Sequence, residues 1–207
     1  MDLPLDIDAV KGFMPHDEGQ ALGLAAARAF ESVPGALACL EVGSYCGKSS
    51  VYIGSQLKAL GGALYTLDHH RGSEENQPGW EHHDSDTWDE DAGAMDTLPF
   101  LRKTLLRSDL EDVVIPVVGK SEQIARHWRS PLAFLFIDGG HSLEPALADY
   151  RGWTRHVALG GTLAIHDVFE RPEDGGQAPW EIFKLAIASG LFEEVKRVGS
   201  LRLLTRV

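Results

Sequence analysis

Five apolar segments of the sequence are each followed by residues of types that can bind ligands or take part in catalysis. The five groups run from Glu41 to Ser49, at Asp68, from Gly119 to Ser121, from Asp138 to His141, and at His166-Asp167. Glycines let a backbone approach a ligand closely, and a carboxylate such as that of Asp68 can accept both hydroxyls of a ribose. Together the groups predict one functional site.

The segments between these groups predict the elements that position them. The apolar runs end at Val42, Asp68, Val118, Ile137 and Ile165, and helix-like segments separate them. Near-continuous apolar strands that alternate with helices are typical of a parallel sheet covered on both faces. In open α/β sheets, ligands bind at the carboxyl ends of the strands. The five groups are expected at that edge.

Glycine and proline positions predict the remaining boundaries. Pro34-Gly35 ends a helix that begins near Pro15, and Gly160-Gly161 separates a helix from a strand at Thr162–Ile165. Gly199-Ser200 joins two apolar segments as the turn of a terminal hairpin. We predict a single α/β domain over residues 1–207, with an N-terminal helical cap at residues 1–35.

The composition restricts the classes of partner. The formal net charge is −12 at pH 7 over 207 residues. This argues against a nucleic-acid or anionic-membrane surface, because such surfaces need clustered lysine and arginine. The N-terminus has no signal-peptide pattern, no run of about 18 apolar residues is present, and two cysteines are too few for a disulfide framework. We expect a cytoplasmic protein with no membrane partner.

The charge is concentrated in one segment. Residues 68–96 contain ten of the 31 acidic residues and a single base, Arg71. The 69–96 segment is longer than a connection between two strands requires, so we predict an acidic insertion that covers the site.

The first loop, from Glu41 to Ser49, has alternative interpretations. It lacks the G-x-G-x-x-G pattern of dinucleotide-binding proteins. Gly47-Lys48-Ser49 matches the end of a phosphate-binding P-loop, but Val42 stands where the leading glycine belongs. A P-loop-like ATP-dependent phosphotransferase therefore remains an alternative. The third interpretation is the pattern [DE]-x-G-x-x-x-G-x-S, with an acid at the end of the next strand.

This third pattern resembles the class I S-adenosylmethionine-dependent methyltransferases. The resemblance runs from about residue 36 to the terminal hairpin. A narrower resemblance is to the small bacterial O-methyltransferases, which are related to the catechol and macrolide-sugar O-methyltransferases. It rests on the segment LFIDGGH, which ends at His141, and on the later Asp149-Tyr150, Trp153, Gly160-Gly161 and His166-Asp167. The resemblance implies a Rossmann-like methyltransferase fold, with a seven-stranded mixed sheet whose last strand is antiparallel.

The resemblance also implies roles for individual residues. The cofactor would be S-adenosylmethionine, with Asp68 on its ribose. The methionine end would be surrounded by Gly43, Ser44, Tyr45, Gly47 and Ser49, and Glu41 would be a further cofactor-binding residue. Lys120 and Ser121 would lie near the adenine, and Asp138 would also border the cofactor.

In metal-dependent members of that group, the acids after the fourth and fifth strands bind a divalent ion. Those positions are Asp138 and Asp167, and His141 and His166 are further candidate ligands. The predicted ion is magnesium or manganese, although two carboxylates with one or two imidazoles suit manganese, iron or zinc better than magnesium. A metal-free site would use His141 or His166 as general base. The predicted catalytic residues are therefore Asp138, His141 and His166.

The predicted function is methyl transfer to a hydroxyl of a small molecule, with or without a divalent metal. The alternatives are the phosphotransferase, other metal-dependent chemistry on the same fold, and a non-catalytic cofactor-binding or interaction module, because a fold does not determine a reaction. The expected partner is a small-molecule substrate, not nucleic acid, and the cap or the insertion could support a homodimer.

Overall fold

The computed structural model describes residues 3–35, 37–73, 76–77, 79, 83–140 and 142–207. The helices are α1 (His16–Ser32), α2 (Lys48–Leu60), α3 (Leu98–Arg107), α4 (Ser121–His127), α5 (Leu143–Trp153) and α6 (Ala178–Ala188). The strands are β1 (Ala38–Val42), β2 (Leu64–Asp68), β3 (Trp88–Asp89), β4 (Ala94–Met95), β5 (Val114–Val118), β6 (Leu132–Ile137), β7 (Val157–Ile165), β8 (Phe192–Val198) and β9 (Leu201–Arg206).

Seven of these strands form one mixed sheet in the order β5-β2-β1-β6-β7-β9-β8. The five strands from β5 to β7 are parallel, and β9 runs antiparallel to both β7 and β8. This confirms the predicted fold class, including the antiparallel last strand. The order reverses at β1, so the loops after β1 and β6 meet where ligands bind in such sheets.

The sheet is covered on both faces, which explains its apolar strands. On β6, Phe134 and Phe136 belong to the core under α1, α2 and α3, while Leu135 and Ile137 belong to the core under α4, α5 and α6. Every residue of β6 is buried. Because successive side chains of a strand point to opposite faces, a central strand covered twice must be apolar throughout.

One predicted boundary is wrong. Strand β7 begins at Val157, so Gly160-Gly161 lies inside the strand and does not separate it from α5. A short 3₁₀ turn, Thr154–His156, makes that connection. Gly160 has a φ of +77°, and a Cβ on Gly161 would lie 2.8 Å from the carbonyl oxygen of Ala133. The pairing register with β6 shifts nearby, so the glycines accommodate an irregularity in the ladder.

The described residues of the acidic insertion form little regular structure. Within its described part, a 3₁₀ turn at Ser85–Thr87 precedes a two-stranded antiparallel pair, β3 and β4. In the part of the chain that the structure describes, no helix is long and apolar enough to cross a membrane.

Candidate active site

A cavity of about 1010 Å³ opens at the carboxyl edge of the sheet. Ten of the residues predicted for the site line its wall: Gly43, Ser44, Tyr45, Ser49, Asp68, Lys120, Ser121, Asp138, His166 and Asp167. Glu41 and Gly47 do not line it, and His141 lies outside the described residues. The structure therefore brings three of the five strand-end groups to one cavity in full, together with parts of the Glu41–Ser49 and Asp138–His141 groups.

Gly43 joins the first loop to the end of β6. Its φ is +95°, and an added Cβ would lie 2.0 Å from the carbonyl oxygen of Asp138. Its N–H donates to the carbonyl of Leu67, and the N–H of Asp138 donates to the carbonyl of Val42. Only glycine fits between these backbones, so the first loop and Asp138 occupy fixed relative positions.

Glu41, predicted as a cofactor-binding residue, lies beneath the first loop and does not line the cavity. It is fully buried, and its carboxylate accepts hydrogen bonds from the hydroxyls of Ser49 at 2.5 Å, Ser50 at 2.5 Å and Thr66 at 2.6 Å. Burial raises its pKa to about 7. Gly47 likewise shapes the backbone, with a φ of +92° just before α2, and is not part of the wall.

Asp68 is held in a defined orientation at the cavity wall. Its Oδ2 accepts a hydrogen bond from the N–H of Tyr45 at 2.9 Å, and its Oδ1 accepts one from the N–H of His70 at 2.7 Å. Each carboxylate oxygen can accept more than one hydrogen bond. Both oxygens therefore keep capacity for hydroxyl groups of a ligand, as the predicted ribose interaction requires.

The cavity wall near Asp68 also contains a buried acid, Asp149, which is not among the predicted site residues. Asp149 of α5 lies on this wall, and burial raises its pKa to about 6. The indole N–H of Trp153 donates to the hydroxyl of Ser121 at 2.7 Å. These residues form the region predicted for the adenine.

At the other end of the cavity, His166 links the N-terminal helix to the two acids. Its Nδ1 lies 3.2 Å from Asp138 Oδ1 and 3.4 Å from Asp167 Oδ2, and its Nε2 lies 2.7 Å from Oε2 of Glu18 on α1. Burial alone would lower the pKa of His166, but the three carboxylates outweigh that effect and raise it well above its usual value. Since no ring nitrogen is left to face a substrate, the structure does not support His166 as general base.

The N-terminal segment and the insertion both reach the cavity. Residues 11–14 line it, as do Gly72, Ser73 and Asn76 of the insertion. Lys11 binds Asp84 Oδ2 at 2.6 Å and Asp86 Oδ2 at 2.9 Å, which ties the two segments together. Part of the acidic charge of the insertion is thus neutralised by the N-terminal segment.

Comparison with known families agrees with this architecture. A family described as "Methyltransferase domain" matches residues 40–168, well over half of the chain. The chain belongs to the methyltransferase family. The matched region of this methyltransferase contains the first loop, Asp68 and Asp138, and it ends just after His166-Asp167, so the family prediction made from the sequence is confirmed.

Solved structures similar to this methyltransferase share its fold. The O-methyltransferase NovP is 14% identical with a TM-score of 0.70, over 91% of this chain and 79% of NovP. An O-methyltransferase from Bacillus cereus, solved with S-adenosylhomocysteine (SAH), is 17% identical with a TM-score of 0.64, over 94% and 83%. TomG from Streptomyces achromogenes, solved with S-adenosylmethionine (SAM), is 16% identical with a TM-score of 0.63, over 94% and 82%.

The P-loop alternative is not favoured for this methyltransferase. The family match includes Gly47-Lys48-Ser49, the residues on which that alternative rested. The structure adds a physical reason, because the hydroxyl of Ser49 donates to the carboxylate of Glu41. In a P-loop that hydroxyl binds the magnesium ion of the nucleotide.

The residues at the end of the cavity fit a divalent ion. Asp138, His166 and Asp167 each offer a ligand atom, and these atoms lie within 4.8 Å of one another. Metal-binding histidines usually direct their second ring nitrogen to a carboxylate, which is the relation of His166 Nε2 to Glu18. Because the pKa of His166 is raised when no ion is bound, the ring carries a proton in that state. A metal ion that binds His166 would have to displace this proton.

Proposed function

We propose that this methyltransferase transfers the methyl group of SAM to a hydroxyl of a small molecule. The observation that carries the proposal is the single cavity that joins the first loop and Asp68 at one end to Asp138 and Asp167 at the other. SAM supplies an electrophilic methyl group on a sulfonium. The similar enzymes named above are O-methyltransferases, and two of them were solved with SAM or SAH.

The protein's own residues account for binding and for activation of the acceptor. Gly43, Ser44, Tyr45, Ser49 and Asp68 would hold the cofactor, with Lys120 and Ser121 at its adenine. Asp138 and Asp167 would orient the acceptor hydroxyl, take up its proton, and hold a divalent ion together with His166. A bound divalent ion would lower the pKa of that hydroxyl. The acceptor oxygen would give its proton to one of these carboxylates as it bonds to the methyl carbon, and the electron pair of the broken carbon–sulfur bond would stay on sulfur, so that SAH leaves.

Calorimetric titration with SAM, SAH and ATP tests the proposed function. We expect SAM and SAH to bind and ATP not to bind. Binding of ATP with no binding of either adenosyl ligand would contradict the proposal.

Replacing Asp68 by asparagine should weaken SAH binding by about 10- to 100-fold, because hydrogen bonds to a charged group contribute roughly 1.5–3 kcal/mol. The matched control is Asp112→Asn, an exposed aspartate just before β5, which should bind SAH like the wild type. The measurement is isothermal titration calorimetry. Unchanged SAH affinity in Asp68→Asn would rule out the ribose role of Asp68.

Mn²⁺ binding tests the metal site independently of turnover. Electron paramagnetic resonance should show Mn²⁺ bound to the wild type, and Asp138→Asn and Asp167→Asn should each weaken it by at least about tenfold. Binding should be tighter at about pH 8 than at about pH 6, because the ion displaces the proton on His166. If the wild type binds no Mn²⁺, the metal-assisted form of the proposal fails and the methyl-transfer proposal remains.

A further inference from the structure

Lys11 is the single lysine or arginine of two acidic segments that meet at the cavity. Residues 1–27 contain five acids and only this one such base, and residues 72–96 contain nine acids and none. Both segments line the cavity, the first through residues 11–14 and the second through Gly72, Ser73 and Asn76. Segments of like charge repel each other, so Lys11 supplies the electrostatic attraction between them.

The attraction takes the form of two short ion pairs. The ammonium of Lys11 lies 2.6 Å from Oδ2 of Asp84 and 2.9 Å from Oδ2 of Asp86. The side chains of Lys11 and Asp84 are only 33% and 26% exposed. The two carboxylates raise the pKa of Lys11 well above its usual value, so the lysine stays charged. We call these three residues the ionic clasp.

The N-terminal side of the ionic clasp is fixed by packing. Val10 and Met14, on either side of it, are buried in the core. The backbone of Gly12 lies against α2, where an added Cβ would be 2.9 Å from the Cβ of Lys48. Lys11 therefore extends from an anchored segment, and the insertion is the part that it holds.

On the insertion side, one turn presents both carboxylates. Asp84 precedes the 3₁₀ turn Ser85–Thr87, and its Oδ1 accepts a hydrogen bond from the N–H of Asp86 at 3.0 Å. The hydroxyl of Thr87 donates to the carbonyl of Asp84 at 2.8 Å. Since the two acids share one short turn, a single lysine can pair with both.

The ionic clasp also lies beside the first loop. The rings of Phe13 and Tyr45 are 5.9 Å apart between centroids, and both residues line the cavity. Burial raises the pKa of Tyr45, and the carboxylate of Asp84 adds to the increase, which places the phenol next to that acid. The N-terminal segment, the first loop and the insertion therefore meet at Asp84.

We propose that the ionic clasp holds the insertion closed against the N-terminal segment and so controls the release of SAH. This regulation rests on the proposed function, in which SAH is the product that must leave the cavity. Partly exposed ion pairs are weakened by salt, because dissolved ions screen the charges. Release of SAH should therefore depend on ionic strength through Lys11.

The test measures how fast bound radiolabelled SAH is released after an excess of unlabelled SAH is added. For the wild type, release should be about threefold faster at about 500 mM than at about 50 mM NaCl. At the lower salt concentration, Lys11→Met should release SAH about 3- to 10-fold faster than the wild type, with little further response to salt. Lys11→Arg should behave like the wild type, and Lys11→Glu should release SAH faster than Lys11→Met.

Lys58→Met is the matched control. Lys58 forms an ion pair with Asp109, also at 2.6 Å, and neither residue lines the cavity. The variant should keep both the release rate and the salt dependence of the wild type.

Hydrogen exchange in the ligand-free protein tests the ionic clasp without SAH. The amides of residues 84–88 should exchange faster in Lys11→Met than in the wild type or Lys58→Met. Faster exchange together with faster, salt-independent release supports the proposal. Faster release with unchanged exchange overturns it, because Lys11 would then act on the ligand directly.

Two further results would also overturn the ionic clasp. One is an equal release rate in the wild type, Lys11→Met and Lys11→Glu, and the other is a full salt response retained in Lys11→Met. A wild type that bound no SAH would count against the proposed function, and the hydrogen-exchange comparison would then decide separately whether Lys11 holds the insertion.

Discussion

Replacing Gly43 by alanine is expected to abolish measurable SAH binding and to destabilise the protein by several kcal/mol. The added Cβ would lie 2.0 Å from the carbonyl oxygen of Asp138 and 2.5 Å from its carbonyl carbon. Both are backbone atoms at the end of a central strand, so they cannot move as a flexible side chain does. Overpacking of this kind costs roughly 1–3 kcal/mol or more, and the φ of +95° adds strain.

The close contact between Gly43 and the Asp138 backbone joins two parts of the cavity wall. The first loop and Asp138 would be forced apart, and both line the cavity. We expect at least a hundredfold loss of SAH affinity by calorimetry and a lower midpoint in thermal unfolding.

Gly61→Ala provides the matched control for Gly43→Ala. Gly61 ends α2 with a φ of +68°, and an added Cβ would meet no atom within 4 Å. Its cost should be confined to backbone strain of about 1 kcal/mol, with unchanged SAH affinity. A Gly43→Ala protein that bound SAH like the wild type would show that the loop does not need this close approach.

The strand ends and their chemistry could be predicted from the sequence, because a doubly covered parallel sheet leaves a local signature. The apolar run of β6 and the charged residues after it identify both the strand and the edge at which Asp138 lies. The same logic places Asp68 after β2. Neither inference requires knowledge of distant contacts, since parallel strands bring their carboxyl ends together whatever the loops do.

Side-chain direction and long-range contacts could not be predicted in this way. The motif that contains Glu41 does not reveal that its carboxylate points beneath the loop, toward Thr66 of the next strand. Gly160-Gly161 reads as a helix–strand boundary because glycine is rare within strands, and only the neighbouring carbonyl of Ala133 explains its position. Glu18 contacts His166 across 148 residues, a separation that leaves no local pattern.

Replacing Glu18 by glutamine is expected to lower the free energy of unfolding strongly, because Glu18 and His166 form a buried ion pair. Glu18 and His166 are 5% and 4% exposed, and Glu18 also accepts hydrogen bonds from the N–H and hydroxyl of Ser200 at 2.9 and 3.0 Å. Removing one partner of a buried ion pair costs about 3 kcal/mol or more. For a domain of this size the midpoint of thermal unfolding should fall by roughly 6–12 °C.

The matched control is Asp17→Asn, an exposed acid one residue earlier in the first turn of α1. It should change the free energy of unfolding by only about 0.5 kcal/mol. This comparison separates loss of the buried pair from loss of a negative charge near the start of the helix.

The effect of Glu18→Gln should also depend on pH in a defined direction. Burial would raise the pKa of Glu18, but His166 and Ser200 lower it below its usual 4.5, so its contribution is present above pH 4.5 and lost as the pH falls. The pKa of His166 is raised above its usual 6.5 by Glu18, Asp138 and Asp167, so its contribution is complete below pH 6.5 and lost as the pH rises toward the raised value. Both contributions are complete between pH 4.5 and 6.5.

Urea unfolding of the wild type and Glu18→Gln should therefore differ more at about pH 5.5 than at about pH 3. The decrease at acid pH reports protonation of the Glu18 carboxylate, which removes the charge that pairs with His166. A difference of equal size at both pH values would mean that Glu18 stabilises α1 by packing alone. A pH-dependent difference would mean that the charge of Glu18 on α1 stabilises His166. Because His166 contacts Asp138 and Asp167, the N-terminal helix would then also help to position the two acids that face the cavity.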